Sequence, residues 1–566
     1  MTLFTVKEAI LDNELGDLGV SDKTLGQLLY NRDLKTKDEV EKFLNPSYDE
    51  HLHDPFLLHD MEKAVARILR AIADDEKVVI YSDYDCDGIP GGVVLHDFFK
   101  AIGFENFSNY IPHRHYDGFG LSEKAVLSIN KDSDPALIIT IDCGTTDFEA
   151  VRVAKEQGID VIITDHHEPK EKLPEAVAVV NPKIGNTYPF TGLCGAAVMY
   201  KLVQALIARG NFEINVGQEK WWLDMVGVAT IADMVPLRGE NRVLAHYGLR
   251  VLRKTRRPGL QKLLRKQKVD PRYLSEDDIG FTIGPRINAA SRMDTPEDAF
   301  TLLSTTDEGE AEARMLHLEK LNTERKTAVS QMTKELHKRL ELLEEIPAVF
   351  AMGNPNWRPS LVGLSANKLA EEYKRPVFLW GKDGNGMFKG SCRSGGEVSV
   401  VKLMEAVPEI FYEFGGHHAS GGFTVREEKI HFFTEALQKA HEALGTEAVV
   451  HEPLSVDMEI TLDMINNQLL KAQRACAPFG ADNAKPLYLI SNVKPEEVTV
   501  FGKAKDHTKL TFETTGLAKE AIAFFKLPEN FTVTPTTAKA VSILAHLEES
   551  FFMGRMQIRL RVIDVI

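Results

Sequence analysis

The sequence predicts an α/β protein: a parallel sheet covered on both faces, then a long helix, a smaller α/β unit and a C-terminal β-barrel. Three observations carry this. Between residues 78 and 180, short unbroken apolar runs alternate with helical periodicity, as strands buried on both faces require. Residues 310–345 contain no Gly or Pro and are dense in Glu, Lys, Arg and Leu. After about residue 447 the pattern turns to short strands.

Taken in order, residues 1 to about 50 read as a small helical segment ending at Phe43-Leu-Asn-Pro46. Met61, Ala64, Val65, Ile68, Leu69 and Ile72 recur at i, i+3, i+4, i+7, an amphipathic helix. Strands are expected at 78–81, 110–111, 137–141, 161–164 and 177–180, with helices at 92–101, 122–129 and 148–157. A helical region follows to about residue 300. In the long helix Met315, Leu318, Leu321, Val329, Met332, Leu336 and Leu340 form an apolar stripe. At 1.5 Å per residue it reaches ~50 Å, enough to bridge two domains. Residues 348–351, 362–373 and 376–380 read strand, helix, strand. Near the C-terminus Met556, Ile558, Leu560 and Val562 alternate with Gln557, Arg559 and Arg561, a half-buried strand.

The 566 residues suggest three to four domains of ~150 residues. Hydrophobic content of 43% and charged content of 27% are those of a soluble globular chain. The five cysteines are scattered and lack a CxxC pair, which argues against a disulfide framework or a cysteine-rich zinc site and fits a reducing cytosol. Mixed-polarity sequence from Met1 onward predicts no signal peptide, and no apolar run is long enough for a bilayer span. A net charge of −16 argues against indiscriminate nucleic-acid binding. Yet ten Lys or Arg and one Asp lie between Arg250 and Arg272, either a solvated helix face or a phosphate-tracking patch.

Chemistry gathers at the expected strand ends, where parallel sheets carry function. Val78-Val-Ile80 runs into Tyr81-Ser-Asp-Tyr-Asp-Cys-Asp-Gly88. Asp83, Asp85 and Asp87 crowd together there, and such carboxylates raise each other's pKa unless a cation intervenes. Alone, this stretch reads as a hard-metal site or as a loop of Asx turns with Asp87 capping a helix. Three further groups follow expected strands: Asp142-Cys-Gly144, Asp165-His-His167, and Asp233 after Ala229-Thr-Ile-Ala232. Neighbouring parallel strands bring such ends together. Oxygen ligands with one or two imidazoles suit two Mn²⁺ or Mg²⁺ ions, which serve in-line phosphoryl displacement.

These residues resemble the DHH phosphoesterases, and within them the RecJ-like single-strand-specific exonucleases. The resemblance rests on the aspartate-rich first motif, Asp142-Cys-Gly, Asp165-His166-His167 and Asp233. It extends to Ile111-Pro-His-Arg114, Gly118-Phe-Gly-Leu121, Gly284-Pro-Arg-Ile-Asn-Ala-Ala-Ser-Arg292, Asn322-Thr-Glu-Arg325, Gly390-Ser-Cys-Arg-Ser394, Phe414-Gly-Gly-His-His418 and Phe479-Gly-Ala-Asp-Asn483. It implies an N-terminal helical segment (1–50), a DHH catalytic domain (51–305), a connecting helix (306–346), a DHHA1 domain (347–447) and an OB-like domain (448–566). Carried over by motif, the metal ligands are Asp83, Asp85, Asp87, Asp142, His166 and Asp233, with Asp142 bridging. His167 and His417 would meet the scissile phosphate from opposite sides, with Gly416 and His418 lining the phosphate cradle. Arg114, Ser391 and Arg393 would hold a 5′-terminal phosphate, for which a guanidinium fork is suited. Arg286, Asn288 and Arg292 would line the substrate channel or serve as domain-interface hydrogen-bonders. In the OB-like segment His507 and Lys509 would contact single-stranded DNA, whereas Phe479 reads equally as core. Ile89-Pro90, Ser291, Arg358 and Ser420 depart from the family pattern; no proposed ligand is lost.

The resemblance therefore implies a metal-dependent 5′-to-3′ exonuclease that hydrolyses single-stranded DNA to 5′-mononucleotides in DNA repair and recombination. It would act as a monomer in the cytoplasm of a bacterium, or of a host cell if virus-encoded. A single-strand-binding protein or a helicase would be its protein partner. Two alternatives stay open: a phosphodiesterase of short oligonucleotides or cyclic dinucleotides, and a non-catalytic replication scaffold.

Overall fold

The computed structural model describes residues 3–396, 398–445, 453–502, 504–552 and 555–566. The chain forms two compact units, one of Met1–Leu52, Pro236–Val243 and His451–Ile566, the other of His53–Val235 and Leu244–Val450. The expected boundary at 447/448 lies outside the described residues.

The larger unit opens on five strands: β1 (Val78–Ser82), β2 (Phe107–Tyr110), β3 (Leu137–Ile141), β4 (Asp160–Thr164) and β5 (Ala178–Val180). All pair parallel in the order β2-β1-β3-β4-β5. Every residue of β1 and β3 is buried, the physical reason their sequences are continuous apolar runs. The chain reverses direction between β1 and β3, so a crevice opens beyond their C-terminal ends. Helix α1 (Gly88–Ala101) follows β1 directly, with Pro90 in its first turn, where a missing N–H costs no helix bond. Helix α2 (Gly195–Arg209) and helix α3 (Leu223–Ala232) pack against α1.

Residues 229–232, read from sequence as a strand, are the last turn of α3 instead. Val226, Val228 and Ala229 are buried all round this helix, and an apolar run that short is ambiguous between a buried strand and a buried helix. Helix α4 (Gly284–Met293) follows a single π-helical turn, Ile279–Ile283. The long helix α5 spans Glu308–Glu341, and its predicted stripe is buried at Met315, Leu318, Leu321, Met332, Leu336 and Leu340.

Past α5, the second sheet comprises β6 (Phe350–Gly353), β7 (Val377–Lys382), β8 (Phe388–Arg393), β9 (Phe411–Gly416) and β10 (Ser420–Val425). Their order is β9-β10-β8-β7-β6, antiparallel except for β6 with β7. Helix α6 (Pro359–Tyr373) packs on β7 and β8.

In the smaller unit the strands are β11 (Met458–Ile460), β12 (Leu487–Val493), β13 (Glu497–Phe501), β14 (His507–Thr511), β15 (Glu520–Ala523), β16 (Val541–Phe552) and β17 (Arg555–Val565). They form one sheet in the order β11-β12-β16-β17-β15-β14-β13. This β-rich sheet is the C-terminal β domain that the sequence predicts. The N-terminal helices join this unit: Leu28, Leu29, Val40 and Phe43 share a core with Ala472, Cys476 and Phe479. Phe479 is thus a core residue. Among the described residues no helix is long and apolar enough to cross a membrane, and the five cysteines are buried and unpaired.

Candidate active site

Parallel register puts one aspartate just beyond each of three adjacent strands. Ser82, Ile141 and Thr164 stand level at the strand ends. The next residues continue the ladder: the Asp83 amide donates to the Ile141 carbonyl, Asp142 to Thr164 and Asp165 to Val180. Asp142 adopts φ +62°, a left-handed conformation that only Gly and Asn or Asp adopt readily, and that suggests a constrained functional position.

The Asp83–Gly88 loop is wound on its own carboxylates. Asp85 Oδ1 accepts from the amides of Asp87 and Gly88. Asp87 accepts from two amides at the start of α2, Gly195 at 2.6 Å and Ala196 at 2.8 Å, so a helix N-terminus holds it in place. Gly195 is required for a second reason: a Cβ there would lie 2.5 Å from that of Asp142.

His166 stands at the centre. Its Nε2 lies 3.2 Å from Asp142 Oδ1, 3.7 Å from Asp87 Oδ2 and 3.8 Å from Asp233 Oδ2. Burial lowers the His166 pKa, which favours the neutral imidazole that a metal would require. The ligand atoms of Asp87, His166 and Asp233 lie within 4.8 Å of one another, as do those of Asp83, Asp85 and Asp142. All six expected ligands therefore fall in two groups of three beside the crevice, joined by the 3.2 Å contact between His166 and Asp142.

Electrostatics test whether this set fits cations. Burial, then repulsion of Asp142 by Asp87, Asp85 and Asp83, pushes the Asp142 pKa well above the carboxylate range. Burial and Asp85 do the same for Asp83, and burial with Asp87 raises Asp233 to about 8. Asp83 Oδ1 and Asp142 Oδ1 are buried with no hydrogen-bond donor. Unsatisfied like charges of this kind are stable only with a proton or a cation. Hard oxygens with one imidazole fit Mn²⁺ or Mg²⁺.

Asp165 is different, and sequence reading gave it no separate role. Its Oδ1 accepts from His167 Nδ1 at 2.7 Å and from the His166 amide at 2.7 Å; its Oδ2 accepts from the Thr145 amide at 2.9 Å. Burial would raise its pKa, but these donors lower it. Conversely, burial would lower the His167 pKa, yet the bond and charge of Asp165 raise it to about 9. His167 is thus an oriented cation at the crevice, braced by Asn181, whose Nδ2 donates to the His167 carbonyl. No spacing signal in the sequence marks Asn181 or Thr145.

Across the crevice stands the β9–β10 turn. Gly416 has φ +142°, and a Cβ there would lie 2.4 Å from the Ser420 carbonyl oxygen, so only glycine fits. His417 and His418 follow, both exposed, and His417 is near enough to lower the pKa of Glu168, the residue after His167.

A cavity of about 580 Å³ lies beside this turn, lined by Tyr84, Arg114 and Phe119 on one side and by Ser360, Ser391 and Gly415 on the other. The Arg114 guanidinium stacks 4.8 Å above the Tyr84 ring. The start of α6 contributes Pro359 and Ser360 to the wall, a helix N-terminus suited to an anion. Arg393 shares the Ser391 face of β8.

The other expected substrate contacts have protein partners. Arg286 is 5% exposed; its Nε donates to Glu319 of α5 at 2.6 Å and its guanidinium also to the Thr282 carbonyl, so it ties helices together. Asn288 Oδ1 accepts from the Cys86 amide, bracing the aspartate loop. Arg292 donates to the Ser360 carbonyl across the two sheets' domains. Burial and the neighbouring Arg114 and Arg325 lower its pKa. In the smaller unit His507 is enclosed by Phe501, Phe524 and Phe525, and Lys509 pairs with Glu520 at 3.5 Å. In the basic 250–272 stretch Arg257 binds Asp97 and Asp224, Lys262 binds Glu308 and Glu312, and Arg272 pairs with Asp270.

Carboxylates and imidazoles able to hold divalent cations, set at the switch point of a parallel sheet and facing a glycine-rich turn, define a metal-dependent phosphoester hydrolase. Comparison with known proteins agrees. The DHH family N-terminal domain model matches residues 77–230, the DHHA1 domain model 345–443 and the RecJ OB domain model 456–564. The single-stranded-DNA-specific exonuclease RecJ of Bacillus subtilis is 34% identical over 95% of this chain and 67% of its own length. The Haemophilus influenzae protein of the same name is 29% identical over 96% of each chain. A crystal structure of Thermus thermophilus RecJ with Mn²⁺ superposes at a TM-score of 0.82, with 25% identity, over 100% of this chain and 79% of that one. The chain belongs to the RecJ family of DHH proteins.

Proposed function

We propose that this protein is a divalent-metal-dependent exonuclease that degrades single-stranded DNA from its 5′ end and releases 5′-mononucleotides in DNA repair and recombination. The observation that carries the reading is the convergence of Asp83, Asp85, Asp87, Asp142, His166 and Asp233, with buried carboxylate oxygens left without donors. These residues would hold two ions, Mn²⁺ or Mg²⁺, matching the manganese in the related Thermus structure. When bound, such ions lower the pKa of the attacking water and offset charge on the phosphate oxygens.

The chain's own residues orient the substrate. His167, kept cationic by Asp165, and His417 from the glycine-rich turn face the scissile phosphate from opposite walls and stabilise its developing charge. The flexible backbone at Gly416 lets the strand approach closely, with His418 beside it. Arg114, Ser391, Arg393 and the α6 N-terminus receive the terminal phosphate. Asn288 and Arg292 act as braces of the aspartate loop and the α6 wall, and Arg286 as a helix tie. In the smaller unit, His507 and Lys509 mark the sheet face offered to single-stranded DNA. Residues 51–305, 306–346, 347–447 and 448–566 correspond to the DHH domain, connecting helix, DHHA1 domain and OB-like domain. The protein works as a cytoplasmic monomer, with a single-strand-binding protein or helicase supplying its strands.

Digestion of a 5′-labelled single strand, the matching duplex and a dinucleotide with Mn²⁺ tests this. Expected is rapid release of labelled mononucleotide from the single strand. Cleavage of the dinucleotide alone would make the protein an oligonucleotide phosphodiesterase. Metal binding without any cleavage would make it a scaffold.

A further inference from the structure

Outside the crevice, a second group of side chains has the make-up of a metal centre. Asp294 just beyond α4, Asp298 on the next helix (Glu297–Ser304) and His317 on α5 bring their ligand atoms within 4.8 Å of one another. His317 Nε2 lies 3.2 Å from Asp298 Oδ2 and 3.4 Å from Asp294 Oδ2. The Asp298 side chain is only 6% exposed. Arg314 donates to its Oδ1, but among the described residues its Oδ2 receives no hydrogen bond and faces His317 and Asp294. His166 Nε2 stands the same way in the crevice, 3.2 Å from one carboxylate oxygen and 3.7 and 3.8 Å from two others. A single Nε2–H donates along one line only, whereas an ion between imidazole and carboxylates serves every oxygen at once. Two carboxylates against the Arg314 guanidinium also leave negative charge that a cation would offset.

We propose that Asp294, Asp298 and His317 form a further metal site, separate from the aspartate pocket, that locks α5 to the seam between the domains of the two sheets. It takes a first-row divalent cation such as Mn²⁺ or Zn²⁺, which one imidazole with two carboxylates and no thiolate suits. The half-exposed Asp294 leaves room for water to complete the shell. The lock follows from what adjoins Asp294. Arg292 donates to the Ser360 carbonyl at 2.7 Å, and Ser360 Oγ donates back to the Arg292 carbonyl at 2.7 Å. Arg358 donates to the Met293 carbonyl at 3.0 Å. These bonds stitch the end of α4 to the start of α6. An ion on Asp294 ties that stitched end to Asp298 and to His317, on the helix that runs from one domain to the other. The three ligands are positioning residues: they hold the seam and touch no substrate.

The test uses the full-length protein, stripped with EDTA and dialysed against Mn²⁺ and, separately, Zn²⁺, with bound ions counted and thermal unfolding followed. His317→Ala and Asp294→Asn should each hold one ion fewer than the parent. Asp142→Asn, which disables the aspartate pocket, should still hold an ion that adding His317→Ala removes, so the two sites are read apart. Mn²⁺ should raise the melting temperature of the parent by ~2–4 °C more than that of either variant. With the seam loosened, KM for single-stranded DNA should rise ~3-fold in both variants while kcat stays within ~2-fold. Equal ion counts in parent and variants would overturn the proposal and make His317 a protonated partner of the two aspartates. Loss of the ion with an unchanged Mn²⁺-induced rise and unchanged KM would overturn the lock.

Discussion

Replacing Asp142 by Asn should stabilise the metal-free protein while abolishing its response to metal. The carboxylate oxygens of Asp83, Asp85 and Asp142 lie within 4.8 Å of one another. At that spacing and an effective dielectric of ~20, each like-charged pair repels by ~3 kcal/mol. Proton uptake limits this penalty, because protonating a carboxyl of ordinary pKa 3.8 at pH 7 costs ~4 kcal/mol. An amide removes one member of the set with almost no change of shape. Asn also tolerates the φ of +62° at this position, so no backbone strain is added. The expected net gain is ~1–3 kcal/mol, and at ~2–4 °C per kcal/mol the melting temperature without metal should rise by several degrees. The assay is thermal unfolding with EDTA and with Mn²⁺, beside single-strand digestion. The parent should gain stability from Mn²⁺ by mass action. Asp142→Asn should gain far less and digest DNA ~10³-fold more slowly. A variant that melts below the parent in EDTA, or that keeps the full Mn²⁺ shift, would refute the view of this cluster as repelling ligands satisfied by a cation.

Gly416→Ala should cut kcat by ~10²-fold with the fold intact, measured by single-turnover digestion, because its Cβ collides with the Ser420 carbonyl and shifts His417. Arg286→Ala should destabilise the larger unit by ~3–5 kcal/mol, seen in urea unfolding, since it leaves Glu319 without its buried partner; KM for single-stranded DNA should change less than ~3-fold. His96 carries a pH signature: burial, then Lys100, lowers its pKa to about 4. The folded state therefore refuses a proton that the unfolded chain accepts below its ordinary pKa of 6.5. Stability is fully present above that value and falls as pH drops from 6.5 towards 4, by at most ~1 kcal/mol per unit allowing for partial exposure. In His96→Gln the melting temperature should decline less between pH 7 and pH 5.

Much of this molecule was legible from local pattern. The runs at 78–82, 137–141 and 160–164 are strands buried on both faces and mostly apolar, a constraint written into adjacent residues. An aspartate one residue beyond each run was then bound to stand at a sheet edge. The stripe of α5 is equally local, since α-helical spacing decides which side chains it buries.

Tertiary structure alone decided what those side chains do once the edge is assembled. Asp165 and Asp142 occupy equivalent places after neighbouring strands, yet one satisfies its oxygens with donors from Thr145, His166 and His167, while the other keeps Oδ1 bare. The Ala229–Ala232 run continues the buried helix that begins at Leu223, and an apolar run that short suits either element. Arg286 and Arg292 belong to one motif and one helix, but only partners distant in sequence, Glu319 and Ser360, fix them as braces. Residues near the N-terminus share a core with residues beyond 470, a pairing no local period records. Strand and helix follow from neighbours along the chain. Ligand, brace and pocket wall follow from neighbours in space, because charge and hydrogen bonding act over a few ångströms whatever the sequence separation.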